Sequence, residues 1–127
     1  MTKIFKIVFV LVFFHSFFGS AQAYQIGLLK YSGGGDWYAN LETSLPNLIK
    51  YCNTNLKTNI NPEQAIVEVV STEIFNYPFV HMTWDGNVVF ANHESENLRK
   101  YLFGWVFLHI SDDDGMDNFI RAKLKKV

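Results

Sequence analysis

The chain has 127 residues, of which 49% are hydrophobic and 18% charged, and its formal net charge is −1 at pH 7. This composition excludes an intrinsically disordered chain, and the charge balance excludes a basic nucleic-acid-binding protein. The length predicts one domain with a modest core.

Residues 1–23 have the parts of a secretory signal peptide. Lys3 and Lys6 form a basic start, residues 7–18 are largely apolar, and the segment ends in Ala-Gln-Ala, which suits a signal peptidase. The apolar run is too short for a membrane span. We therefore predict an exported chain, periplasmic or secreted, with no membrane span after cleavage and a single domain over residues 24–127.

The apolar pattern of that domain alternates between the periods of strands and helices. In chain order it predicts a strand at 25–31, a helical stripe from Leu45 to Leu56, strands at 65–70 and 77–83, a helix from about Asn92, a strand at 106–110 and a helix over 116–124. Thr43 and Ser44 are the expected caps of the first helix. Gly104 is the expected left-handed residue after the second helix. Cys52 lies on the first apolar stripe, so we expect it to be buried.

This alternation predicts an α/β fold with a mainly parallel sheet. The third and fourth strands are apolar throughout, which is typical of strands covered on both faces. The chain ends on a helix where a parallel sheet would continue with another strand. We therefore interpret it as the front part of a larger domain, truncated at its C-terminus. The open edge of such a sheet predicts aggregation or a dimer through that edge.

Ligands of open α/β sheets bind beyond the carboxyl ends of the strands, where three loops are expected. The most unusual loop is Gly-Gly-Gly-Asp-Trp-Tyr, formed by Gly33, Gly34, Gly35, Asp36, Trp37 and Tyr38. Its glycines let backbone amides approach a ligand closely, and a carboxylate with two aromatic rings suits a sugar. Free amides would suit a phosphate. A tight turn whose aromatic rings cover the core is the alternative.

The other two loops add Asp85 and Gly86, and Asp112 and Asp113, to the candidate ligand-binding residues. The aspartates around residue 113 match only part of a calcium-binding pattern, so we favour a polar loop that caps the next helix. We predict no metal and no cofactor. His81 and His109 fall within strands, where we favour a hydrogen-bonded structural role over a role in the site.

Catalytic residues are not assigned. Cys52 is the sole cysteine, so no intramolecular disulfide can form, and it occupies a helical position and not the sharp turn of a nucleophile. Asp36, Asp85 and Asp112 leave a carboxylate-dependent hydrolase as the alternative to a binding protein, because their separation cannot be obtained from sequence.

The motifs of this chain resemble those of the bacterial family known as domain of unknown function 4159. The resemblance rests on LKYSGGGDWY at residues 29–38, TSLPNL at 43–48, YPFVHMT at 77–83, NLRKYL at 97–102, and FLHI at 107–110 followed by Asp112 and by GMD at 115–117. It covers the chain from about residue 26 to residue 127. The resemblance implies a three-layer, flavodoxin-like arrangement similar to class I glutamine amidotransferases. It implies no established activity, and related domains often lack the catalytic cysteine.

Two departures from the family pattern fall on tryptophans. Trp84 and Trp105 stand where the family shows glycine in tight loops, so we expect strained backbone at both positions. From the residues and the resemblance together, we expect a non-catalytic exported domain that binds a small polar ligand, such as a carbohydrate, or a protein partner. A fragment of a longer family member, without a function of its own, is a further alternative.

Overall fold

The computed structural model describes residues 23–84, 88–112, 121–122, 124–125 and 127, and describes Trp84 and Asp112 by their backbone alone. The elements in chain order are strand β1 (Gly27–Lys30), helix α1 (Ser44–Tyr51), a π-helical turn (Cys52–Leu56), strand β2 (Ala65–Glu68), a 3₁₀ turn (Thr72–Asn76), strand β3 (Phe79–Trp84), helix α2 (Asn92–Leu102) and strand β4 (Phe107–Asp112). The backbone is helical again at 121–122 and 124.

The four strands form one sheet in the order β2-β1-β3-β4, and every neighbouring pair is parallel. The predicted α/β class with a parallel sheet is therefore confirmed. The chain passes from β1 to β2 on one side and then crosses to β3 on the other side of β1. The direction of winding thus reverses between β1 and β3, which makes their carboxyl ends a topological switch point.

Each face of the sheet packs against a helix because side chains alternate along the strands. On the α1 face the buried residues are Ile26, Leu28, Leu45, Ile49 and Ile60. The core on the α2 face is larger, and its members include Leu29, Val67, Val80, Met82, Leu98 and Tyr101. The hydroxyl of Tyr101 donates a 2.7 Å hydrogen bond to the Tyr77 carbonyl, which fixes α2 against the start of β3.

Burial on both faces holds for the inner strands and is wrong for the edge strands. Leu28 and Leu29 of β1 are both buried, and so are residues 80–83 of β3. On the α1 face, however, Phe107 of β4 is 58% exposed and Ile66 of β2 is 52% exposed. The reason is that α1 packs on β1 and reaches only as far as Phe79, so both flanks of this face stay open in the described part of the chain.

The predicted start of α1 needs a correction. Thr43 makes no side-chain cap, and its hydroxyl donates instead to the Asn40 carbonyl. That carbonyl also accepts the backbone N–H groups of Thr43 and Ser44, because Asn40 adopts a left-handed conformation with φ 59°. Ser44 is the first helical residue and not a cap. Cys52, expected to be buried, is half-buried beside the α1 core.

The end of α2 also differs from the prediction. The left-handed residue is Trp105, with φ 58°, and not Gly104, whose N–H still bonds the Tyr101 carbonyl. The strained backbone that we expect at Trp105 is therefore confirmed. The same expectation is wrong at Trp84, which lies in the extended strand β3 paired with Asp112. No helix among the described residues is long and apolar enough to cross a membrane.

Candidate functional site

The loop that follows β1 meets the segment that follows β3 at the carboxyl edge of the sheet. The N–H of Val89 donates a 2.9 Å hydrogen bond to the carbonyl of Gly33. Asp85 and Gly86 precede this contact in sequence and lie outside the described residues. The predicted Gly-rich loop is thus fixed at the switch point, the place where ligands of this sheet type bind.

The three glycines of the loop have different reasons to be glycine. A Cβ at Gly33 would clash with the backbone carbonyl of Val89, so this position is required for packing. Gly34 and Gly35 have φ of 62° and 80°, in the left-handed region that other residues rarely adopt. Gly33 is therefore a structural glycine, while Gly34 and Gly35 shape the exposed tip of the loop.

The aromatic residues of the loop divide in the same way. Trp37 is half-buried against both cores, so it covers the sheet as the alternative interpretation expected. Tyr38 is 53% exposed and packs edge-on against Trp37 at 5.7 Å between ring centroids. Its pKa is raised, first by a hydrogen bond to Asp36 and then by the charge of that carboxylate. Asp36 and Tyr38 thus form an exposed polar pair at the loop tip.

Tyr31 supports the loop from beneath. Its ring is buried in the α2-face core, and its hydroxyl lies 3.3 Å from the Thr83 carbonyl of β3. Burial, and secondly the charge of Asp36, raise the pKa of Tyr31 to about 12. The phenol therefore stays protonated at neutral pH and acts as a hydrogen-bond donor between the two switch-point strands.

A buried carboxylate holds the loop against the start of α2. The Oε1 atom of Glu94, whose residue is only 2% exposed, accepts the Ser32 N–H at 3.2 Å and the Ser32 hydroxyl at 2.7 Å. Its Oε2 atom accepts the Ala91 N–H at 2.8 Å, as in one half of a capping box. The sequence pattern indicated only that Glu94 lies in the first helical turn, because its partner Ser32 is 62 residues away.

The hydrogen bonds of Glu94 to Ser32 and Ala91 are called the Glu94 clamp below. A cleft of about 260 Å³ adjoins it. It lies between the carboxyl ends of β1 and β2 and the start of α2, and its lining residues are Lys30, Tyr31, Ser32, Glu68, Val69, Val70, His93 and Glu94. Lys30 Nζ pairs with Glu68 Oε1 at 2.9 Å, and both side chains are about half exposed, so the pair contributes little to stability. Lys30, Glu68 and His93 were not among the predicted site residues, since no local motif marks them.

The histidines of β3 and β4 form a separate pair on the α1 face. Nδ1 of His81 lies 2.9 Å from Nδ1 of His109, and the rings are nearly parallel with centroids 5.0 Å apart. His81 is 3% exposed, and its Nε2 has no hydrogen-bond partner among the residues that the structure describes. Burial, and secondly the neighbouring His109, lower the pKa of His81 to about 4. His81 is therefore neutral at physiological pH.

The remaining candidates are not brought together in the described part of the chain. The backbone of Asp112 ends β4, whereas Asp113 lies outside the described residues. Cys52 lies beside the α1 core. Among the described residues, no three metal-ligating side chains of His, Cys, Asp or Glu lie close enough to hold an ion.

Two comparisons with known proteins bear on this site. The model of the family described as a domain of unknown function (DUF4159) matches residues 25–127, which is most of the chain. No curated protein matches the chain. The family match includes the Gly-rich loop, the Glu94 clamp and both histidine strands.

Proposed function

The chain belongs to the DUF4159 family, and we propose that this member binds a small polar ligand, without catalysis, at the carboxyl edge of its sheet. The observation that supports the proposal is the position of Ser32. Its backbone and hydroxyl are held by Glu94, and the same residue lines the 260 Å³ cleft and opens the Gly-rich loop. Ser32 therefore connects the cleft to the start of the Gly-rich loop.

The loop tip offers groups that a ligand could engage. The N–H groups of Gly34 and Gly35 donate no hydrogen bond to the part of the chain that the structure describes. Asp36 and Tyr38 are exposed beside them. Unpaired amides next to a carboxylate and a phenol can bind the hydroxyl groups of a sugar or the oxygens of a phosphate.

The cleft limits the size and charge of the ligand. A volume of about 260 Å³ lies below the range of drug-sized pockets, so the ligand is about as large as a monosaccharide. Lys30 and Glu68 supply both signs of charge at its rim, and His93 adds a ring nitrogen. A mixed rim favours a hydroxyl-rich molecule over one that carries a large net charge. We therefore propose a carbohydrate or sugar phosphate as the ligand class.

Calorimetric titration tests this proposal. The purified chain is titrated with neutral monosaccharides, sugar phosphates and nucleotides, and saturable heat is expected with a member of the first two groups. Tyr38→Ala and Asp36→Ala should each weaken binding about five- to tenfold, the effect of one lost polar contact. Tyr51→Ala is the matched control, because Tyr51 is 61% exposed on α1, away from the loop.

Two results would contradict the proposal. Absence of heat with every compound would contradict binding of a small ligand, and binding of a protein partner would be the remaining alternative. If the chain hydrolyses a bound sugar and Asp36→Asn abolishes this turnover, the protein is a hydrolase and the proposed non-catalytic role is wrong.

A further inference from the structure

A larger cavity lies at the opposite, amino edge of the sheet. Its volume is about 530 Å³, and the described residues that line it are Ala23, Tyr24, Gln25, Asn61, Asn76 and Tyr77. These residues precede β1, β2 and β3, so they converge where the three strands begin. The volume falls within the range of small-molecule pockets. No motif in the sequence marked this edge.

The lining of this cavity has an unusual composition. The described lining residues include two tyrosines, two asparagines and one glutamine, and none of them has a charged side chain. Each carboxamide carries a donor and an acceptor, a pair that matches two neighbouring hydroxyl groups. Tyrosine combines an apolar ring with a polar hydroxyl.

The backbone around the cavity is held in place by hydrogen bonds. The Asn61 N–H donates to the Tyr24 carbonyl at 3.0 Å, and the Gln25 amide donates to the Glu63 carbonyl at 2.8 Å. The Tyr77 carbonyl accepts the Tyr101 hydroxyl. These contacts connect the cavity to β2 and α2, so its shape does not depend on a ligand.

Several polar groups of the cavity remain free for a ligand. The carboxamide of Asn76 and the hydroxyls of Tyr24 and Tyr77 make no side-chain hydrogen bond to the part of the chain that the structure describes. The Gln25 carboxamide uses its nitrogen and keeps its oxygen free, whereas the Asn61 oxygen accepts the Glu63 N–H and leaves its nitrogen free.

We propose that this amino-edge cavity is a second binding site, for a polyhydroxylated molecule of mono- or disaccharide size. Aromatic rings pack against the C–H-rich face of such a molecule, while carboxamides bond its hydroxyls. The described lining residues have no charged side chain, in contrast to the mixed-charge rim of the carboxyl-edge cleft. The inference does not depend on the proposed function, because the two sites lie at opposite edges of the sheet.

Nuclear magnetic resonance distinguishes the two sites directly. The ¹⁵N-labelled chain is titrated with glucose, N-acetylglucosamine, maltose and, as a charged comparison, galacturonate. Saturable shifts of the side-chain amide signals of Gln25, Asn61 and Asn76 are expected with at least one of these sugars. Asn76→Ala should raise the dissociation constant about fivefold, the effect of one lost neutral hydrogen bond.

The control variants separate this site from the carboxyl-edge cleft. Asn47→Ala removes an exposed carboxamide on α1 and should leave binding unchanged, as should Tyr38→Ala at the Gly-rich loop. If none of the sugars shifts the three amide signals, the proposal is wrong, whatever happens at the loop. It is also wrong if those signals shift only together with the loop and Tyr38→Ala abolishes both shifts.

Discussion

Two histidines on neighbouring strands are in register yet have different environments. His81 pairs with His109 across β3 and β4, but His81 is buried and His109 is exposed. We assign the shared proton to Nδ1 of His81, because its buried Nε2 then carries a lone pair and not an unpaired N–H. This arrangement requires a neutral His81, so acid should weaken it.

Stability should therefore fall as the pH drops below about 6.5. The pKa of His81 is lowered from 6.5 to about 4 in the fold, so the unfolded chain takes up a proton first. The stabilisation that neutral His81 contributes is fully present above its unfolded pKa. It is lost as the pH falls from the unfolded pKa to the folded pKa. Between pH 7.5 and 4.5 the loss of unfolding free energy amounts to about 2 kcal/mol, because solvent screens part of the effect. Urea unfolding at pH 7.5, 5.5 and 4.5 measures it.

The His81→Leu variant tests the source of this pH dependence. Its unfolding free energy should change less between pH 7.5 and 4.5 than that of the wild type. His93→Gln, a change at an exposed histidine of α2, should keep the wild-type slope. An unaltered slope in His81→Leu would show that other groups cause the acid sensitivity.

Trp105 has a strained backbone at a position where the sequence predicts it. It has φ 58°, a conformation that costs a residue other than glycine about 1–2 kcal/mol, and its side chain is fully exposed. Trp105→Gly should therefore stabilise the fold by about 1 kcal/mol and raise the thermal midpoint by roughly 4–8 °C. Differential scanning calorimetry measures the change.

Trp84→Gly is the natural comparison, because the family resemblance predicts a strained backbone at Trp84 as well. It lies in β3, where glycine is destabilising by about 0.5–1 kcal/mol, so this variant should unfold at a lower temperature than the wild type. Equal shifts of the two variants in the same direction would contradict the assignment of strain to Trp105.

At the scale of elements, Glu94 joins the Gly-rich loop to α2. Glu94→Ala would leave the Ser32 N–H, the Ser32 hydroxyl and the Ala91 N–H without their acceptor. We expect a loss of about 2–4 kcal/mol in unfolding free energy, because these groups are partly buried. Urea unfolding measures the loss, and faster amide exchange at residues 32–35 should accompany it.

Glu96 provides the control for this change. It lies on the same helix, but it is exposed and makes no hydrogen bond in the described part of the chain, so Glu96→Ala should change stability by no more than about 0.5 kcal/mol. Similar losses in both variants would mean that helix charge, and not the clamp, determines the effect.

For the whole molecule, the uncovered flank of the α1 face suggests self-association. Phe107 stacks on Phe79 at 5.3 Å between centroids, and this edge also carries Phe103 and Trp105, which are 79% and 101% exposed. Exposed apolar patches of this kind mark interaction surfaces, and parallel sheets are usually covered on both faces. Our prediction of a dimer at the open sheet edge therefore places this aromatic flank in the interface.

Sedimentation velocity over a range of concentrations tests this prediction. The wild type should associate reversibly, and Phe107→Ser should shift the distribution towards monomer. Tyr51→Ser removes an equally exposed ring from α1 and should behave like the wild type. If the wild type stays monomeric at every concentration, the predicted dimer is wrong.

Export concerns the whole molecule as well. Cleavage after Ala23 predicts that protein recovered from the periplasm or the medium begins at Tyr24, because small residues precede the expected cleavage site. Intact-mass analysis after expression in a bacterial host measures the N-terminus. Retention of Met1 on a cytoplasmic product would contradict the prediction.

The sequence by itself determined the type and order of the four strands and the first two helices, whereas most of the predicted helix over 116–124 lies outside the described residues. The period of apolar residues is a local property, so the four strands, the two helices and the α/β class could be predicted from it. The glycines of residues 33–35 and the family motifs also pointed to the loop after β1. Predicted boundaries at Thr43 and Gly104 failed because caps depend on backbone angles that a residue type favours but does not fix.

Only the tertiary structure decided which faces are covered and which distant groups meet. His81 and His109 occur in similar apolar runs, yet His81 on the inner strand β3 is buried and His109 on the edge strand β4 is exposed. Glu94 meets Ser32, and the amino-edge cavity forms, only once the strand order β2-β1-β3-β4 is set. These contacts join residues far apart in the chain, and their free energy depends on packing and desolvation in three dimensions, which no local pattern records.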